Sequence, residues 1–100
     1  MLHTINKSPF EKNSFDSCLR LAGAGSAILL IEDAVYAAVK RTSVSEKLRQ
    51  AKVKSKVYVL GPDLKARGMD RETLVDGIEI VDYGGFVDLV IDHRQVQSWL

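Results

Sequence analysis

One hundred residues, 46% hydrophobic and 27% charged, suffice for one globular domain over residues 1–100 with one small core. This balance excludes a disordered chain, and the longest apolar run is too short to cross a bilayer. The formal net charge of +1 speaks against a general nucleic-acid surface: Lys40-Arg41 and the stretch Lys47 to Lys56 are basic, but no aromatics interleave with them, so they read as solvated helix faces.

Leu2 to Asn6 is short and β-prone, and Ser8-Pro9-Phe10 breaks it, since proline cannot donate to a ladder. Asn13 or Ser14 caps a helix over Phe15 to Ala22, in which Phe15, Cys18, Leu19 and Ala22 share one face. Gly23-Ala24-Gly25 stops it. Ala27 to Ile31 is an uninterrupted apolar run and suits a strand buried on both faces. An alanine-rich helix follows through Val39, with Asp33 placed to cap its first turn. Val44 to Lys52 is a weak amphipathic helix with Val44, Leu48 and Ala51 on one side, and Lys56 to Leu60 is a further strand. Gly61-Pro62-Asp63 turns the chain into a short helix over Leu64 to Arg67, and Asp70 caps another through Val75. Ile78 to Val81 is a strand, Asp82-Tyr83-Gly84-Gly85 a glycine-rich corner, and Phe86 to Ile91 a helix. Val96 to Leu100, with Trp99, closes the chain as a strand or docked tail. Strands alternating with helices predict an α/β fold of three layers, α/β/α, around a mostly parallel sheet of about five strands.

Catalytic equipment is sparse. Glu32, Asp33, Asp63 and Asp82 fall at the carboxyl ends of strands, where they serve as acids or, more simply, as helix caps. Ser8, Ser14 and Ser17 lack a nucleophile-elbow context, and the chain has no P-loop. His3 and His93 stand far apart without a ligand motif, so neither a metal nor a cofactor is expected. Cys18, the single cysteine, excludes an internal disulfide and a CxxC pair. It has two readings: a thiolate that carries sulfur as a persulfide, helped by Lys12 and Arg20, or a small buried apolar filler. Met1 to Ile5 lacks the apolar region of a secretion signal, which makes the cytoplasm the expected location.

Several stretches together resemble one family: Met1-Leu2-His3-Thr4 with Ser8-Pro9-Phe10, Leu30 to Ala38, Val57 to Gly68, and Val81 to Leu89. In order, spacing and total length they are similar to the DsrH/TusB family across essentially the whole chain. The segment Leu60-Gly61-Pro62-Asp63-Leu64-Lys65-Ala66-Arg67-Gly68, together with a cysteine at position 18, looks closer to DsrH than to TusB. The resemblance implies a DsrEFH-like fold and a small subunit of a cytoplasmic sulfur-relay complex, DsrEFH or TusBCD. It implies a dimer of heterotrimers with DsrE/TusD-like and DsrF/TusC-like subunits. Sulfur would pass to a DsrC/TusE-like carrier, for sulfur oxidation or for 2-thiolation of a tRNA wobble uridine, with no direct contact between this chain and nucleic acid. The main reactive cysteine would belong to a sister subunit, leaving Cys18 as an accessory persulfide site. The density of apolar residues in Phe86, Val87, Leu89, Val90 and Ile91 fits a helix covered on both sides, by the sheet and by a sister subunit. The rival reading is a homomeric interaction module of α/β fold without sulfur chemistry.

Overall fold

The computed structural model describes residues 1–100. Five strands form one wholly parallel sheet: β1 (Leu2–Ile5), β2 (Ala27–Leu30), β3 (Lys56–Leu60), β4 (Glu79–Val81) and β5 (Val96–Trp99). Their spatial order is β4-β3-β2-β1-β5. The chain steps one strand at a time from β1 to β4, then crosses back to pair β5 with β1, Leu2 opposite Val96. Right-handed crossovers decide which face each connection covers. The three steps in one direction put their helices on one face, and the reversed step from β4 to β5 must place its helix on the other.

The helices obey this. On the first face lie α1 (Ser14–Leu21), a 3-10 helix over Glu32–Ala38, α2 (Ser45–Lys54) and α3 (Gly61–Ala66). Phe15, Val35, Leu48 and Leu64 of these segments join Ile5, Ile28, Leu30, Val57 and Val59 of the sheet in one core of 18 buried residues. On the second face lies α4 (Tyr83–Asp92) alone. There Leu2, Ala27, Leu29 and Leu89 make a core of only four buried residues, with Tyr58, Val81 and Phe86 packed at its margin. Strand alternation produces the split: Ile28 and Leu30 point one way, Ala27 and Leu29 the other. All four residues of β1 and of β2 are buried, as a strand sandwiched between two layers requires.

Three local expectations are corrected. The alanine-rich segment after β2 is a 3-10 helix, not an α-helix, and Asp33 does not cap it. Its three-residue period stacks Ala34 over Ala37 and Val35 over Ala38, and all four are buried; small side chains tolerate this eclipsed arrangement. The expected helix from Asp70 shrinks to one 3-10 turn, Arg71–Thr73, because the chain at once extends again for a bridge between Leu74 and Val39. The glycine-rich corner belongs to α4, which starts at Tyr83. Asp82 caps it by accepting from the Gly85 amide at 2.8 Å. Gly85 is required there, since a Cβ would come within 2.9 Å of the Val81 Cβ. No helix is long and apolar enough to cross a membrane.

Candidate functional site

Cys18 sits in the middle of α1, on the inner side of the helix. Phe15 and Cys18 face the sheet with Ala22 just beyond, while Asp16 and Arg20 face outward. The thiol side chain has no solvent exposure, and burial pushes its pKa up to about 12. The cations considered for its activation do not reach it. Arg20 leans on the Ser17 hydroxyl at 3.4 Å on the outer surface, and desolvation is the sole influence on the thiol. The environment is that of a small apolar filler, and it holds the thiol protonated at neutral pH.

The acids at the carboxyl edge of the sheet are brought together, but as a clasp. Asp63 accepts from the Glu32 amide at 2.6 Å, holding the turn where Glu32 adopts a positive φ of 50°. Arg67 donates to Asp33 through Nε at 3.1 Å and Nη2 at 2.8 Å, and through Nη1 to the Asp63 carbonyl at 3.1 Å. The hydrogen bond to Asp33 is the main reason the guanidinium pKa is raised above its ordinary value. These bonds tie the end of β2 to α3. Of the four acids placed at strand ends, only Asp82 is a side-chain cap. Arg67 had no signal in the sequence, because its partner is 34 residues away.

A third feature is the outer face of α4. Phe86 and Leu89 turn toward the sheet. Tyr83, Val87 and Ile91, at i, i+4 and i+8, turn away and stand 61%, 55% and 73% exposed, with Val90 beside them at 41%. One helix therefore presents an apolar stripe on both sides, and the outward stripe meets only solvent.

A family model described as DsrH like protein matches residues 7–96 of the chain. Protein TusB of Shigella flexneri is 42% identical over 99 residues, which cover 99% of this chain and 100% of that protein. Protein TusB of Pectobacterium parmentieri is 36% identical over the same extent. Among solved structures, the crystal structure of the ychN protein from E. coli superposes with a TM-score of 0.84 over 97% of each chain at 18% identity, a likeness of fold.

Proposed function

The chain belongs to the DsrH/TusB family, and on that footing we propose that it is a structural subunit of a cytoplasmic sulfur-relay complex, not an independent catalyst. The observation that carries this reading is the outward stripe of α4, Tyr83, Val87 and Ile91, on a chain that matches TusB proteins from end to end. Apolar side chains repeating on one exposed helix face are the ordinary mark of a surface made to be covered. The partners in this reading are DsrE/TusD-like and DsrF/TusC-like subunits in a dimer of heterotrimers, with a DsrC/TusE-like carrier receiving the sulfur. The sulfur ends in an oxidation pathway or in a thiolated tRNA, and neither end product touches this chain. Cys18 serves mainly to fill the core beneath α1. Its accessory persulfide role demands that α1 lift from the sheet, because a fully buried thiol cannot meet a donor.

The test is co-expression with the two sister subunits. The wild-type chain co-purifies with both, and Val87→Glu, which places a charge in the stripe, breaks the assembly while the purified variant keeps its circular dichroism. Assembly unaffected by Val87→Glu would remove α4 from the interface. A chain that never binds the sister subunits but sediments as a homodimer through the same stripe would establish the homomeric module instead. Persulfide on Cys18 is checked by mass spectrometry of the assembled complex after exposure to a persulfide donor: none is expected, and Cys18→Ser relays sulfur at the wild-type rate.

A further inference from the structure

The exposed surface of α4 is charged on one flank only. At about 100° of rotation per residue, Asp88 and Asp92 fall together on one side of the outward stripe of Tyr83, Val87 and Ile91, and Val90 borders its other side. Both acids are exposed, and neither takes part in an ion pair. The helix holds no Lys or Arg, and Arg94, the first cation beyond it, pairs with neither acid.

This placement works against the isolated helix. Like charges four residues apart repel one another, and Asp92, the last residue of α4, sits at the negative end of the helix dipole. A flank that serves only to be solvated does better with a cation four residues after an acid. A second copy of this chain does not relieve the conflict. Antiparallel pairing centred on Val87 covers the whole stripe, with Tyr83 opposite Ile91 of the other copy, but it brings the same flank of each helix together. Asp92 then falls beside Asp82 of the other copy, and like charges share one seam. Parallel pairing lays the acids against the flank that carries Val90, where carboxylates meet apolar side chains. A different surface, apolar at its centre and cationic along one rim, satisfies both the stripe and the acids.

We infer that the sister-subunit surface covering α4 carries a basic rim, Lys or Arg facing Asp88 and Asp92, beside an apolar centre that takes Val87 and Ile91. The inference rests on the subunit reading and adds to it the sign and position of the partner's charge. The test dilutes the co-expressed complex of this chain with its two sister subunits and follows dissociation by sedimentation at about 0.05 M and about 0.5 M salt, the higher of which screens exposed charges beyond a few ångströms. The double variant Asp88→Asn/Asp92→Asn, which keeps side-chain size, binds about three- to tenfold more weakly than wild type at low salt and equals it at high salt. Asp88→Lys/Asp92→Lys binds more weakly still at low salt and recovers as salt rises. The free Asn variant melts no lower than wild type, since it loses a repulsion and a conflict with the dipole. A lower melting temperature would assign the acids to the chain's own fold and overturn the inference. Equal affinity of wild type and both double variants at low salt overturns it too; if Val87→Glu still breaks that complex, the subunit reading stands without it. Self-association of the chain through α4 rejects the heterologous rim, and a chain that binds neither sister subunit removes both readings together.

Discussion

The two faces of the sheet are built to different standards. One is sealed by three helices and a 3-10 segment around 18 buried residues; the other is covered by a single helix around four. One sheet feeds both, so the difference lies in topology: three crossovers run one way and one runs back. The well-sealed face gives the fold its stability. The thin face leaves a helix with an exposed apolar stripe on its outer side, beside the exposed Asp88 and Asp92. These outward apolar side chains contribute less to the chain's own folding than buried ones do, and under the subunit reading proposed above they form the surface that a neighbour would cover.

The sharpest way to break this contrast is to cut into each face in turn. Leu30→Ala removes a fully buried side chain from the larger core and should cost about 3–5 kcal/mol, a large share of the 5–15 kcal/mol typical of a whole domain. Leu89→Ala, on the thin side, should cost about 2 kcal/mol, at the lower end for such truncations, because few buried neighbours surround it. Urea unfolding of both variants gives the comparison directly, and a larger loss for Leu89→Ala would reverse the ranking of the faces. Cys18→Ser places a hydroxyl in the larger core and should cost about 1–3 kcal/mol, against little for Cys18→Ala. In the native protein Cys18 should react with a thiol reagent only as fast as the chain opens, so rapid labelling would contradict its burial. Arg67→Ala frees the clasp between β2 and α3, whose partner Asp33 is 56% exposed. The loss should be about 0.5 kcal/mol, since half-exposed ion pairs are screened.

The smallest effect concerns pH. His3, in β1, accepts from the Trp99 indole N–H at 3.1 Å through Nδ1. Burial first, and the nearby Met1 ammonium second, lower the imidazole pKa, so the fold prefers the neutral ring. As pH falls below the ordinary value of 6.5 the unfolded chain takes up a proton before the folded one does, and stability declines until the lower folded pKa is passed. Above pH 6.5 this contribution is complete. Protonation of Nδ1 also replaces an acceptor with a donor facing the indole N–H. Emission from Trp99, the only tryptophan, should therefore change in the acid range in wild type and stay flat in His3→Gln.

Most of the architecture was legible because it rests on local rules. The apolar run from Ala27, the β-prone stretches at Leu2, Lys56 and Ile78, and the stop signals at Gly23 and Gly61 mark the strands and their order. A parallel sheet then follows from the alternation of strands and helices. Helix type was less legible. Nothing in Glu32 to Ala38 separates a 3-10 from an α-helix until the sheet beneath is known, because four buried small residues choose the tighter period. Gly84 and Gly85 read as a corner, whereas close approach to Val81 makes a glycine the residue that lets α4 begin there. The roles of the edge acids were hidden for another reason: Asp63 and Arg67 act on residues more than thirty positions away, and no local spacing reveals such pairs. Cys18 had two readings on paper, and only tertiary packing reveals its surroundings.

The placement of β5 governs the order in which the sheet can assemble. Thr4 and Ser98 share a hydrogen bond across 94 positions of sequence, so the strand beside β1 is the most distant joining event in the chain. Pairings of that range close late and slowly, after the neighbouring strands have docked. Until then β1 keeps an open edge, and the interval is when a nascent chain is most exposed to mispairing with another copy of itself. Pulsed hydrogen exchange during refolding should show the amides of β2 and β3 protected before those of Gln97 and Ser98.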